Sequence, residues 1–463
     1  MRTLFILNNT WKFRTDWRNM KSPMHNLILI TSKAGFGKLD IHQKGIFYKI
    51  ITTEDFSHKN ISIIIQLEAK EDRKIDLKDA RLATTDERLT HVAALVRQSL
   101  NIPGDDPSIV EKFRDKIVMK QYLKESKIRI PKFIKFSPEL YQRDNYEYLK
   151  HIEHEIGYPM FIKPTDAGGS RGVAVIRNYR DFLSWTKANG NEKNYEVEEL
   201  ITGRFYHADC IVVDGKIIKT FVCEHNLPND IALRDGKPIT TISLPELHKD
   251  SVKYNKYMAE VLEAMAPYPQ NCVFDLDFFV TGKEECVFIE MACRSPGGMM
   301  AEIYNKICGG MNIEETYFRL QFGLPVTLKF EEKQHAAYFW VPRKAGLVDC
   351  LHTPLVDSEM QLTWHAKKGD LLEKAQGMSD VVASILVTNQ DFTSLYKDYS
   401  FLCNFNFCTI RDPKKSFSYF SFFKEHPYLT ASGLAAITAI GVGVTKWYTT
   451  VDPALSDLPI PKL

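Results

Sequence analysis

Residues 271–298, NCVFDLDFFVTGKEECVFIEMACRSPGG, gather acidic side chains at a spacing that chemistry can use. Stretches 273–280 and 286–291 are β-branched and aromatic, and Thr281 and Gly282 between them supply turn chemistry, so the segment reads as a hairpin. Side chains alternate along a strand, which puts Asp275 and Asp277 on one face. Glu290, Ala292 and Arg294 share a face of the second strand if the chain stays extended. A loop over 282–285 sets Asp277 opposite Glu290. Opposed carboxylates about 5 Å apart repel, and a divalent cation removes that penalty. An oxygen-only pair of ligands suits Mg²⁺ held together with substrate phosphates. The same residues also fit a solvent-facing polar edge, or a register in which the two never meet.

A second group lies upstream. Lys163 ends the apolar run YPMFIK at 158–163, and PTDAGGSRG at 164–172 leads to the run VAVI at 173–176. Gly168, Gly169 and Gly172 permit positive φ and a close approach of backbone N–H groups to an anion. In a P-loop the lysine follows the glycines and opens a helix. Here it precedes them and a strand follows, so the loop is the flap of a hairpin. Such a flap can fold over phosphates while Lys163 neutralises them; a mobile surface turn is the plainer alternative.

These groups need elements to hold them. The runs 4–7, 26–30 and 46–51 read as short strands, and RLTHVAALVRQSL at 88–100 has helical spacing closed by Pro103 and Gly104. KAGFGK at 33–38 is too short for a Walker A motif and reads as a turn. Residues 111–124 are charged and helical, residues 195–201 form a strand, and 208–213 with Asp214 and Gly215 open a hairpin. The expected units are 1–110, an α/β domain; 111–325, carrying both chemical groups; 326–411, strands and turns; and a tail, 412–463.

Composition narrows the class. The 463 residues suggest roughly three domains. A formal charge of +2 without a basic stripe gives no pull toward nucleic acid. The nine cysteines are scattered and form no CxxC pair, which argues against a disulfide framework or structural zinc and for a reducing, cytoplasmic setting. In the tail, 428–444 is free of charge, with aromatics and lysines on both flanks. It fits a short membrane helix that tethers the protein, or a helix buried against its body.

Taken together, the segments resemble the ATP-grasp superfamily of carboxylate–amine ligases, closest to the carnosine-synthase-like type that joins amino acids or small acids to amines. The resemblance spans about residues 86–409. Its motifs stand in order: Asp115 with Lys116, YPMFIKP, AGGSRG, VEELITG, FDLDFF and FIEMACRSPGG. It implies a mixed α/β (α+β) ATP-grasp fold preceded by a Rossmann-like domain, with ATP and Mg²⁺ or Mn²⁺ as cofactors. Its substrates would be a small carboxylate and an amine, amino acids above all. By the same resemblance Lys116 and Lys163 hold the nucleotide phosphates, and Gly168, Gly169, Ser170 and Gly172 cap them. Glu198 accepts from the adenine amino group, and the backbone of Glu199, Leu200 and Ile201 forms the adenine hinge. His207 and Asp209 lie near the ribose and phosphates, Asp277 and Glu290 bind the metal, and Arg294 faces the transferred phosphoryl group or the substrate carboxylate. Two departures stand out: Ala292 where many members carry Asn, and Phe205 where an acidic residue is common. A different ATP-grasp reaction, such as carboxylation, or a non-catalytic ATP-binding module would use the same motifs.

Overall fold

Four parallel strands begin the chain: Arg2–Asn8, His25–Thr31, Lys49–Thr52 and Arg81–Ala83. The first lies at the centre, between the second and the fourth, and the third is at an edge. Continuous apolar runs such as Leu4, Phe5, Ile6 and Leu7 are buried on both faces, as a covered parallel sheet requires. Helices His58–Glu71 and Thr90–Leu100 send Ile61, Ile65, Ala93 and Val96 into one of its two cores. The computed structural model describes residues 2–326 and 330–412. The expected membrane segment 428–444 falls outside them; among the described residues no helix is long and apolar enough to cross a membrane.

Several local expectations are corrected here. KAGFGK is no turn: Lys33–Gly37 is a short helix, because the Ser32 side chain accepts the Gly35 N–H as its N-cap. The single helix expected over 111–124 is two, Pro107–Glu111 and Lys116–Leu123. Asp115 starts the second by accepting from the N–H groups of Ile117 and Val118. The third strand is Lys49–Thr52 rather than 46–51.

A small antiparallel sheet follows, in the order Phe133–Lys135, Tyr195–Glu199, Met160–Pro164, Ala174–Ile176. Its own core, including Phe136, Leu149, Ile152 and Phe182, is separate from the main one. The largest sheet has eight strands. Its first five, in spatial order, are Cys286–Ala292, Cys272–Val280, Arg204–Val213, Lys216–His225 and Ile239–Ser243. His335–Pro342, Val381–Asn389 and Glu359–Trp364 complete it. Strands from the expected 326–411 unit thus hydrogen-bond directly onto those of 111–325, and residues up to Thr409 form one unit.

Candidate functional site

The two carboxylates meet as the sequence suggests, by a route it does not show. Asp277 is paired with Glu290 across the hairpin. The turn covers 281–285, where Glu284 N–H donates to Thr281 O and Thr281 N–H to Glu285 O. That turn pairs Val280 with Cys286 and Phe278 with Phe288, a register that would leave Ile289 opposite Asp277. A bulge after Phe288 absorbs one residue and delivers Glu290 instead. Burial, then Asp275 and Glu290, push the Asp277 carboxyl well above its ordinary value.

Lys116 ties its own helix and the glycine flap to this hairpin. Its Nζ lies 2.8 Å from Glu290 Oε2 and donates to Ala167 O at 2.9 Å, with 4% of the side chain exposed. Ala167 sits at the foot of the glycine flap, whose flanking strands pair Ile162 with Ala174. Arg114 donates to Asp166 O beside it. Gly169, Ser170 and Gly172 have φ of 70°, 57° and 72°, the left-handed region expected of this loop, and Ser170 enters it without being glycine.

Under the flap lies a buried charge cluster. Lys163 Nζ is 2.8 Å from Glu198 Oε1 and 3.6 Å from Glu196 Oε1. Lys120 donates to Glu196 Oε1 at 2.8 Å and to Glu198 Oε2. Burial pulls the Lys163 ammonium down, but Glu198, Glu196 and Glu290 outweigh it and hold it above the usual lysine value. Both oxygens of Glu198 therefore already accept from lysines. Strand Tyr195–Glu199 ends where the hinge expected at Glu199, Leu200 and Ile201 begins. Arg129 Nη2 donates to both Glu199 oxygens at 2.8 Å, fixing the strand end.

Arg294 reaches across to the N-terminal unit. Its Nη2 donates to Glu87 Oε2 at 2.8 Å and its Nη1 to Asp275 Oδ2 at 2.5 Å. Burial alone raises Glu87, yet Arg294, Lys116 and Arg114 prevail and hold it at about 2. On the strand next to the hairpin, His207 stands opposite Asp277 and Asp209 opposite Asp275. These two therefore join the hairpin carboxylates on the large sheet.

Sequence reasoning missed several members. Lys120 follows Lys116 by one helical turn, and Glu196 shares a strand face with Glu198; both periodicities were readable. Glu87, Arg114 and Tyr304 come from distant segments with no local signal for a site. Asp275 was readable as a facemate of Asp277.

The donor set fits a magnesium–nucleotide. Among the described residues no three metal-binding side chains converge. Two opposed carboxylates would therefore need further oxygens, and nucleotide phosphates would supply them in the manner usual for Mg²⁺.

Comparison with known proteins agrees with this reading. A family model described as the D-ala D-ala ligase C-terminus matches residues 122–314. The D-alanine–D-alanine ligase of Natranaerobius thermophilus is 24% identical over 198 residues, 42% of this chain and 53% of that enzyme. That of Geobacillus thermodenitrificans is 30% identical over 91 residues, 19% of this chain and 25% of the enzyme. The chain thus spans about half or less of the length of these curated relatives. Among solved structures, an L-amino acid ligase from Bacillus licheniformis superposes with a TM-score of 0.68 at 13% identity, covering 89% of this chain and 99% of that one. A carboxyaminoimidazole ribonucleotide synthase from Aspergillus clavatus, complexed with ATP, gives 0.62 at 13% identity over 87% and 97%. Identities this low establish the fold. In its fold, and in the segment that carries the lysine and carboxylate motifs, the chain is similar to these ligases and synthases.

Proposed function

We propose that the chain is an ATP-dependent carboxylate–amine ligase that forms an amide or peptide bond and releases ADP and phosphate. The observation that carries this is the meeting of Lys116, on Glu290, with the flap foot at Ala167, beside the opposed pair Asp277 and Glu290. Phosphate-binding and metal-binding groups are thereby brought to one place. The ligase relatives favour amide formation over other uses of the fold.

Lys116 and Lys163 bind the triphosphate, and Gly168, Gly169, Ser170 and Gly172 close over it. Glu199, Leu200 and Ile201 flank the adenine. Glu198, engaged by Lys120 and Lys163, acts chiefly by orienting Lys163. Asp277 and Glu290 would hold Mg²⁺, which would neutralise phosphate charge. Arg294 orients the substrate carboxylate for attack on the γ-phosphorus; the acyl phosphate formed is then opened by the amine. The nine cysteines, all free, suit a reducing cytoplasmic setting. A membrane tether at 428–444 remains a proposal from sequence, tested by fractionating the full chain with and without detergent.

The experiment is ADP release with Mg–ATP across pooled carboxylic acids, with hydroxylamine present to trap an acyl phosphate as hydroxamate. Acid-dependent hydroxamate supports the ligase. Turnover needing bicarbonate instead favours carboxylation, which the synthase neighbours of the fold keep open. Nucleotide binding without turnover under any combination favours a non-catalytic module.

A further inference from the structure

One buried group in the site has no partner for its charged form: burial and the facing Asp275 push the Asp209 carboxyl well above its ordinary value. Asp275 is neutralised by Arg294, but Asp209, directly opposite it, receives only a neutral donor, the Tyr304 hydroxyl at 2.5 Å from Oδ2. Asp209 is 0% exposed and its Oδ1 has no hydrogen-bond partner. His207, 5% exposed, places Nε2 at 3.6 Å from Asp209 Oδ2, and that nitrogen is also without a hydrogen-bond partner. The other His207 nitrogen is taken up: Nδ1 is 2.8 Å from His225 Nε2, and His225 Nδ1 is 3.4 Å from Thr241 Oγ1. A donor arriving at Nε2 selects the tautomer protonated on Nδ1, a proton His225 Nε2 accepts, while His225 donates onward to Thr241.

A buried carboxylate and a bare imidazole nitrogen, side by side, ask for a cation that also donates hydrogen bonds. Magnesium is a poor match, since it takes oxygen ligands and one of the two open atoms is an imidazole nitrogen. A primary ammonium matches both atoms. The position is apt: His207 faces Asp277 across adjacent strands, about 5 Å apart, so a group held here stands beside the metal carboxylates.

We propose that Asp209 Oδ1 and His207 Nε2 seat the ammonium group of the acceptor, so that the second substrate is a primary amine entering in its cationic form. This rests on the ligase reading. Before attack the ammonium gives up one proton to solvent or phosphate. Its nitrogen lone pair forms the C–N bond, the C–O bond to phosphate breaks with its electron pair leaving on oxygen, and the second proton departs with the phosphate.

The test separates the two half-reactions. Hydroxylamine is largely uncharged at neutral pH and needs no ammonium seat, whereas methylamine, 1,4-diaminobutane and glycine present one. In Asp209→Asn and His207→Gln the two half-reactions should separate, amide formation from the best amine falling much further than acid-dependent hydroxamate formation. The KM for the best amine should rise tenfold or more. Loss of hydroxamate and amide in parallel, or an unchanged amine KM, overturns the proposal. Should both variants fail to fold, the wild-type protein still decides. The best amine should suppress hydroxamate formation competitively and its trimethylammonium analogue, which has no N–H, should not; equal suppression by both overturns it. Absence of any acid-dependent hydroxamate in the wild type would instead sink the ligase reading itself.

Discussion

Lys116 Nζ and Glu290 Oε2 stand 2.8 Å apart, the cation proposed to bind phosphate resting on the anion proposed to bind metal. The pair satisfies both charges when nothing is bound. A magnesium–nucleotide brings opposite charges to each, so it exchanges this pair for two better ones. Replacing Lys116 with Met removes a charged donor to phosphate, a loss of roughly 1.5–3 kcal/mol of binding, or about tenfold and more in Kd. Calorimetry with Mg–ATP on the folded variant checks this; unchanged affinity would remove Lys116 from the phosphate site.

Asp277→Asn separates metal binding from fold. Asp275, Asp277 and Glu290 crowd one hairpin, so removing one charge relieves repulsion by about 0.2–1 kcal/mol in metal-free protein. The melting temperature without Mg²⁺ should hold or rise, while Mg²⁺-dependent turnover falls roughly a hundredfold. A variant that melts lower and turns over normally would show that Asp277 serves structure alone.

Much of this site was readable because it lies within short segments of fixed period. Asp277 and Glu290 follow from two strands, and the flap follows from a lysine, glycines and two apolar runs. Even there the turn and the bulge at Ile289 each differ from expectation by one residue, and their effects cancel. What sequence could not show is pairing between remote segments. Glu87 on Arg294 and Tyr304 on Asp209 join residues 207 and 95 positions apart, fixed only by how the units pack. The eight-stranded sheet likewise runs across the boundary expected near 325, since strand order is set by pairing and not by local pattern.

The Glu87 link to Arg294 has a pH signature. The folded carboxylate is held at about 2, below the value of about 4.3 for a free glutamate. Stability from this group is therefore complete above the unfolded value and is lost as pH falls from about 4.3 toward 2. It amounts to about 3 kcal/mol. Glu87→Gln should lower stability at pH 7 by that order and flatten the acid limb of a plot of melting temperature against pH. A variant whose acid limb matches the wild type in this window would refute the coupling.

The buried cluster under the flap gives the sharpest stability test. Lys120 is 0% exposed, and it contacts Glu196 at 0% and Glu198 at 3%. Lys163 remains as the second cation, 3.6 Å from Glu196 and 2.8 Å from Glu198. Lys120→Met leaves two buried carboxylates to share that one lysine, and breaking a buried pair by removing one partner costs about 3–5 kcal/mol. Adding Glu196→Gln removes the stranded charge, so the double variant should regain a large part of the loss. Glu198 would then keep Lys163 to itself, so nucleotide affinity should recover with stability. Chemical denaturation of the single and double variants, read alongside Mg–ATP binding, decides the matter. Additive losses would mean that Lys120 and Glu196 act independently and that the cluster does not position Lys163 as a unit.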